Sequence, residues 1–323
     1  MDTLKLGTRG SQLALFQANA VAALLREHAD TQCEIVVVKT SGDRLAEATL
    51  AEIGGKRLFV KEIEDALLAR TIDLAVHSSK DMPAVLPAGL ALGAVLPRED
   101  ARDAVVLPRG SAPSVTLEDI VRRLGRAPRI GTSSIRRMAQ LTRLFPAATF
   151  LPIRGNLDTR LRKLDDRDYH AIVLAAAGLK RLQHEDRIST ALPVDTCVPA
   201  PGQGIIAVEI RSADSGVRDL VAGINEPVSA AALAAERAVV TRLGGGCQMP
   251  IGAYAQSVDN ELRMIASVIS PDGSRVARAE SRGPMTAAEH VGIQAAEELL
   301  SRGAAEILAD VDRMHGAVEG LQP

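Results

Sequence analysis

Aromatic side chains are almost missing from this chain: there is no tryptophan, and two tyrosines and four phenylalanines make up 2% of the sequence. So few rings leave no platform on which unstacked bases can lie, which argues against a nucleic-acid partner. Cysteine is as scarce. Cys33, Cys197 and Cys247 stand far apart, so neither a disulfide framework nor the paired spacing of a metal site is present, and no metal is expected. No apolar run is long enough to span a bilayer. The start, Met1-Asp-Thr-Leu-Lys5, lacks the pattern of a secretory leader, so a cytoplasmic protein with no membrane partner is expected. Charge of one sign is also lacking. The net charge of -2 gives no global attraction to polyanions. Gly54-Gly-Lys56 lacks the spacing of a P-loop, and Pro201-Gly-Gln-Gly204 is not a dinucleotide fingerprint.

What remains is an ordinary globular composition, 46% hydrophobic and 24% charged over 323 residues, which predicts about two or three domains. Residues 4–9 read as a short strand entering a turn, and Ser11 opens an amphipathic helix to about His28. The run from Cys33 to Lys39 is β-branched and reads as a buried strand. Residues 40–59, with Ser-Gly-Asp and Gly-Gly-Lys-Arg, read as a mobile loop. A helix over 60–70 and a strand over 73–79 follow. The same order returns in the next part of the chain. Arg129-Ile-Gly-Thr-Ser-Ser134 repeats strand, Gly-Thr and a serine opening a helix. A strand over 149–153, a helix over 157–166 and a strand over 171–176 come after it.

Two βαβαβ runs predict two related α/β domains with parallel sheets, and ligands of such sheets sit at the carboxyl ends of the strands. A cleft between the two domains is the expected site. Residues 199–204 read as a Pro/Gly linker, and the strand over 205–210 is expected to return to the first domain. Beyond Glu226-Pro227 the pattern changes to an alanine-rich helix over 229–243, antiparallel hairpins over 252–282 and a last helix with a capping box at Thr286–Glu289. The expected division is residues 1–104 with 200–223, then 105–199, then 224–323 as a small α+β domain with an antiparallel sheet.

Three stretches carry chemistry. Val76-His-Ser-Ser-Lys-Asp-Met-Pro83 crowds polar groups at the end of a buried strand, which is costly unless they meet a ligand or one another. Its bland reading is a solvated turn in which Asp81 caps a helix, and His77 alone reads as a structural hydrogen-bonding residue. Arg9, Arg136, Arg137, Arg154, Arg160, Lys180 and Arg181 lie at or just past strand ends or at helix starts. Each alone is an ordinary surface charge. Together, with hydroxyls from Ser11, Thr132, Ser133 and Ser134, they describe a cationic cleft for a polyanion, carboxylate or phosphate. Leu243-Gly-Gly-Gly-Cys-Gln-Met-Pro250 sets one cysteine on a glycine loop, where it is either inert or able to form a covalent bond. Cys33 and Cys197 read as structural.

These residues resemble those of the porphobilinogen deaminase (hydroxymethylbilane synthase) family over nearly the whole chain. The matching stretches come in the family's order: Thr8-Arg-Gly-Ser-Gln-Leu-Ala14, Gly55-Lys-Arg-Leu-Phe59, residues 76–83, Arg98-Glu-Asp-Ala-Arg-Asp103, Gly131-Thr-Ser-Ser-Ile-Arg-Arg137, Arg154-Gly-Asn-Leu-Asp-Thr-Arg160, Ala177-Gly-Leu-Lys-Arg181 and Gly245-Gly-Cys-Gln-Met-Pro250. The resemblance implies two similar doubly wound, periplasmic-binding-protein-like α/β domains around a cleft, plus the small third domain. It also implies a transferase of tetrapyrrole and haem biosynthesis that joins four porphobilinogen molecules head to tail into hydroxymethylbilane, with release of four ammonia. The chain would grow on a dipyrromethane cofactor held by a thioether to Cys247, and the product would pass to the next enzyme of the pathway. A monomer is the family expectation.

By the same resemblance Asp81 is the catalytic residue. Ser78, Lys80, Thr132, Ser133, Ser134, Arg136, Arg137, Arg154 and Gly178 match positions that hold the cofactor. Arg9, Ser11, Arg154 and Arg160 match substrate-side positions, and Lys56 lies on the lid loop. A fixed carboxylate suits the cationic azafulvene left when ammonia departs, and two carboxylates per pyrrole account for the arginines better than phosphate does. The chain departs from the family at Gly244 (often Glu), Arg57 (usually Gly) and Ser79 (commonly larger and apolar). Two other readings stand beside this one. A solute-binding protein explains the arginines but gives Cys247 no purpose. A cysteine-nucleophile acyl transferase needs a histidine at Cys247, and nothing nominates one.

Overall fold

The computed structural model describes residues 3–41, 60–111, 116–246 and 249–319. Cys247, Lys56 and most of the loop that carries Lys56 lie outside the described residues. Three sheets organise the remainder.

The first sheet begins with β1 (Leu4–Thr8), α1 (Gln12–Ala29) and β2 (Cys33–Val37). It continues through α2 (Lys61–Leu68), β3 (Leu74–Ser78) and β4 (Leu90–Val95). The chain then enters the second sheet with β5 (Asp103–Val106), α3 (Leu117–Leu124), β6 (Arg129–Gly131), α4 (Ile135–Thr142) and β7 (Thr149–Leu151). That sheet closes with α5 (Leu157–Asp165), β8 (Ala171–Ala175), α6 (Ala176–Arg181) and β9 (Thr190–Ala191). β10 (Ile206–Arg211) returns to the first sheet and is followed by α7 (Ser215–Ala222). The last part holds α8 (Pro227–Arg242), β11 (Ile251–Val258), β12 (Glu261–Ile269), β13 (Val276–Pro284), α9 (Ala288–Ser301) and α10 (Ala304–Glu319).

The strand orders are β2-β1-β3-β10-β4 and β7-β6-β8-β5-β9. The two lobes have one topology, with β10 and β5 in equivalent places. Here the structure corrects the expectation of purely parallel sheets. β10 runs antiparallel to both β3 and β4, and β5 antiparallel to both β8 and β9. Each of these strands enters its sheet from a connection between the lobes, so it arrives pointing the opposite way. The paired connections, 96–102 outward and 198–205 back, lie side by side: Leu96 N donates to Ile206 O and Glu99 N to Gly204 O.

Local chemistry starts the site helices where the sequence placed them. Ser11 caps α1 by accepting from Ala14 N, Ser134 caps α4 by accepting from Arg137 N, and Asn156 caps α5 by accepting from Thr159 N. The capping box expected at Thr286–Glu289 does not form. Met285–Ala287 is a single 3-10 turn, and α9 begins at Ala288 with no side-chain cap. β4, β5, β9, α3, α6 and α7 have no counterpart in the sequence reading, and the single last helix expected is two, α9 and α10.

The first lobe buries Leu6, Val21, Leu25, Leu74, Val76 and Val208 between sheet and helices, and Val105, Ile120, Ile130, Leu141 and Val173 do the same in the second. The third unit packs α8 and α9 onto one face of β11-β12-β13 around Leu262, Met264, Val268 and Leu299. The close seat of α9 on α8 needs Gly292, because a Cβ there would lie 2.1 Å from Ala235 O.

Candidate active site

The site lies where the carboxyl ends of the two sheets face each other. In the first lobe, β3 ends at Ser78 and the chain makes one 3-10 turn, Ser79–Asp81. Arg9, Ser11, Gln17, His77, Ser78 and Asp81 line one pocket there. Ser78 Oγ takes a 2.9 Å hydrogen bond from Gln17 Nε2, which joins the turn to α1. Beneath it, His77 Nε2 lies 3.0 Å from Glu209 Oε2 on β10, and both side chains are buried. His77 is therefore the structural hydrogen-bonding residue that the sequence reading favoured.

In the second lobe, Thr132–Ser134 occupy the turn between β6 and α4. Thr132 Oγ1 accepts from Ser134 N, and Ser133 Oγ donates to Ile153 O and accepts from Ile153 N. These bonds shape a cradle at the N-terminus of α4, where backbone N–H groups and the helix dipole favour anions. Arg154 follows β7, with its carbonyl accepting from Lys163 Nζ. Arg160 on α5 donates from Nε to Gly155 O. Gly178 sits in α6, and a Cβ there would meet only Leu13 of α1, at 3.8 Å. Arg181 Nη2 donates to Gly204 O at 2.7 Å.

The charges of the two lobes act on each other. Burial, and then the Arg137 guanidinium, bring the Lys80 ammonium down to about 8 against the pull of Asp81. Burial and Arg137 likewise bring Arg160 down to about 10, again with Asp81 opposing. Asp81, Lys80, Arg137 and Arg160 thus share one electrostatic neighbourhood. Burial also lowers Arg181 to about 10. Cations crowded and desolvated in this way are costly, and an anionic ligand relieves the cost. Two carboxylates act on them: Asp81 at the cleft, and Asp103, which is buried beneath it and paired with Arg137.

Arg136 and Arg137 are both buried against Asp103, and Arg136 is the deeper of the two. It is 4% exposed and donates to Asp103 Oδ2 at 2.7 Å and to Val198 O at 2.6 Å. Arg137 donates from Nε to Asp103 Oδ1 at 2.9 Å and from Nη1 to Val173 O at 2.9 Å. Burial alone would raise the Asp103 carboxyl, but the two guanidinium charges overcome it and hold the group well below the usual carboxylate range. Cys197 is buried in the same cluster, its Sγ 3.3 Å from Asp103 Oδ2, and burial pushes its thiol up. A buried thiol raised in this way has the character of a structural cysteine, as the sequence predicted.

Sequence reasoning assigned no role to Asp103, Gln203 or Glu236. The signal for Asp103 was there: an aspartate opening the apolar run Ala104-Val-Val-Leu107 must be paired if the strand is buried. Glu236 had a weaker one, a glutamate in an alanine-rich helix. It is fully buried and accepts from Arg98, Gly202 N and Ala255 N. Gln203 had none. Among the described residues no cluster of His, Cys, Asp or Glu could hold a metal ion, and no helix is long and apolar enough to cross a membrane.

Fold and site together define a two-lobed α/β protein whose cleft gathers cations and Asp81 at the carboxyl ends of two sheets, a setting suited to an anionic ligand. The chain belongs to the porphobilinogen deaminase family, transferases of tetrapyrrole biosynthesis that carry a dipyrromethane cofactor. Residues 4–219 match the family model described as porphobilinogen deaminase, dipyromethane cofactor binding domain, and residues 230–301 match the porphobilinogen deaminase C-terminal domain. It is 46% identical over 308 residues to a porphobilinogen deaminase of Carboxydothermus hydrogenoformans, covering 95% of this chain and 96% of that one. It is also 46% identical over 309 residues to one of Geobacter metallireducens, covering 95% and 94%. Among solved structures, the periplasmic VFT2 domain of Bordetella pertussis BvgS superposes with a TM-score of 0.41 at 15% identity, covering 69% of this chain and 86% of that one. A likeness at that level carries no argument here.

Proposed function

We propose that this cleft performs the family's reaction with Asp81 as its catalytic residue and Cys247 as the attachment point of the primer. The reaction joins four porphobilinogen molecules head to tail into hydroxymethylbilane and releases four ammonia. The observation that carries the reading is the crowd of mutually repelling, desolvated cations that faces Asp81 across the cleft, with Lys80 held at about 8 and Arg160 at about 10 and Asp103 already engaged by Arg136 and Arg137. A pyrrole bearing acetate and propionate matches that arrangement: its carboxylates suit the cations, and its N–H suits Asp81.

The same donor set fits a dipyrromethane. Ser78, Lys80, Thr132, Ser133, Ser134, Arg137, Arg154 and Gly178 would hold it, with the α4 N-terminus contributing backbone donors. Arg136 belongs to this group by supporting Asp103 and, through it, Arg137. When bound, the cofactor supplies the pyrrole terminus on which the chain is built. Arg9, Ser11, Arg154 and Arg160 bind and orient the incoming porphobilinogen by its carboxylates. Asp81 accepts from its pyrrole N–H, so the positive charge that develops as ammonia leaves is met by a fixed carboxylate. The same group can hold a proton in transit.

Lys56 is assigned to the same reaction on the family resemblance alone. The division into residues 1–104 with 200–223, 105–199 and 224–323 assigns one role to each unit: catalysis, carboxylate recognition and tethering. We further propose that the chain works in the cytoplasm as a monomer and hands its product to the next enzyme of the pathway.

The test is the Asp81→Asn protein. It keeps the shape of the site and loses the charge. Ammonia release per primed chain should fall on the order of a thousandfold, the loss typical of removing one preorganised electrostatic group. Near-normal release from that variant would refute the role given to Asp81.

A further inference from the structure

We propose that Gln203 is a positioning residue for this reaction: its buried amide sets Lys80 and the Asp81 turn of the first lobe against Arg137 of the second. The proposal rests on the assignment of Asp81 and the cleft cations made above.

Gln203 lies in the return connection between the lobes, which the sequence presented as a Pro/Gly linker. It is not a loose linker. The Gln203 side chain has no exposed surface. Its amide nitrogen donates to Ala101 O at 2.7 Å and to Asp103 Oδ1 at 2.9 Å. Neither acceptor can donate, so the orientation of the amide is fixed: nitrogen toward Asp103, oxygen toward the cleft. That oxygen accepts from Lys80 Nζ and from Arg137 Nη2, each at 3.5 Å. Both hydrogens and both lone pairs are thereby used. The two long bonds are weak. They orient the cations without neutralising them, which leaves both charges available to a ligand.

The backbone around Gln203 reaches the same turn. Gly202 has φ +72°, and a Cβ there would lie 2.6 Å from Ser79 Oγ, so the connection packs directly on the residue two before Asp81. Ser79 N donates to Ile205 O at 3.0 Å. On the other side, Gly202 N donates to Glu236 Oε2 at 2.6 Å, and the Gln203 carbonyl accepts from Arg98 Nε at 2.9 Å. Glu236 lies on α8, the helix that leads into the glycine loop before Cys247. Three units therefore meet at two residues. A side chain that only filled this space would need no amide. One that must face two cations with an acceptor and a carboxylate with donors is limited to glutamine among residues of its shape.

The experiment compares Gln203→Met with Gln140→Met in the full chain, both normalised to the amount of primed protein. Gln140 ties α4 to the same connection, donating to Val198 O and to the Arg136 carbonyl and accepting from Val198 N, but its amide meets neither Lys80 nor the Arg137 guanidinium. Gln203→Met should lower kcat at least about tenfold, because misplaced reacting groups are costly. KM for porphobilinogen should stay within about threefold, because the groups assigned to its carboxylates are not bonded to Gln203.

Hydrogen exchange gives a readout independent of turnover. The amides of Ser79 and Met82, which donate to Ile205 O and Ser79 O, should exchange faster in Gln203→Met than in Gln140→Met. Gln203→Glu keeps an acceptor toward Lys80 and Arg137 and, with its other oxygen protonated, a donor toward Asp103. It should recover part of kcat, and it serves as the test if Gln203→Met does not fold. Equal kcat and equal exchange in the two methionine variants, or a Gln203→Glu protein no better than Gln203→Met, would overturn the proposal. Failure of the Asp81 assignment would show separately, as near-normal ammonia release from Asp81→Asn with Gln203 intact.

Discussion

Replacing Asp103 by asparagine removes one buried charge and strands two others. Asp103 is fully buried at the start of β5. Arg136 approaches it at 2.7 Å, Arg137 at 2.8 Å, and Gln203 and Cys197 complete its shell. Breaking a buried ion pair by deleting one partner costs about 3–5 kcal/mol, chiefly because the remaining charge is left uncompensated. Here two guanidinium groups lose their common counter-charge and repel each other. Arg136 keeps Val198 O and Arg137 keeps Val173 O, which holds the loss within that range rather than above it. Asparagine also turns an amide nitrogen toward one of the guanidinium groups. For a chain of 323 residues the loss corresponds to a fall in Tm of about 4–7 °C.

The pH dependence is part of the same prediction. The folded Asp103 carboxyl titrates well below its ordinary value. Its contribution is therefore complete above the unfolded aspartate value of about 3.9 and is lost only as pH falls toward the lower, folded one. Urea melts of the wild type and Asp103→Asn should differ by about 3–5 kcal/mol from neutral pH down to about pH 4, and the gap should close only in stronger acid. A difference under about 1 kcal/mol at neutral pH, the size of an exposed ion pair, would refute the claim that Asp103 compensates two buried guanidinium groups.

Two further perturbations test the site from other sides. In a primer-free Cys247→Ser chain, burial and Arg137 hold Lys80 down to about 8, so binding of a small dicarboxylate, followed by calorimetry, should weaken as pH rises through about 8. Stability should move the opposite way, rising from pH 8 toward the ordinary lysine value of about 10.4, because there the unfolded chain binds more protons than the folded one. Lys80→Met should abolish both trends, and their persistence would contradict the assignment. Among the described residues, Ser79 carries a buried Oγ with no hydrogen-bond partner. Ser79→Ala should therefore leave stability unchanged or raise it by about 1 kcal/mol in a urea melt, and a loss of that size would show that the hydroxyl has a partner.

The sequence made the cleft legible because its residues sit in local patterns. Ser11 and Ser134 announce helix starts, and Asp81, Arg137 and Arg154 lie just past strands or in the first turn of a helix. The antiparallel course of β5 and β10 was not legible, because it follows from the path of the chain between lobes and leaves no mark on either strand. β4, Leu-Ala-Leu-Gly-Ala-Val, has one β-branched residue and a glycine, so it did not read as a strand. The glycine has a spatial reason instead: a Cβ at Gly93 would come within 2.7 Å of Val221. Arg136 and Arg137 were read as one pair, yet Arg136 is turned inward to Asp103 and Val198. Both bind Asp103, more than thirty residues away in the chain, and they part beyond it: Arg136 reaches Val198 O, Arg137 reaches Val173 O and the Gln203 amide oxygen. Gln203 was invisible for the same reason, since each partner of its side-chain oxygen comes from a different lobe.

The account turns on a primer held covalently at Cys247 and gripped by the cleft. Intact-mass measurement of the purified chain tests it most directly. The wild type, as isolated or after incubation with porphobilinogen, should carry the added mass of two linked pyrrole units, and Cys247→Ser should carry none. A wild-type chain that keeps its unmodified mass after that incubation would contradict the account.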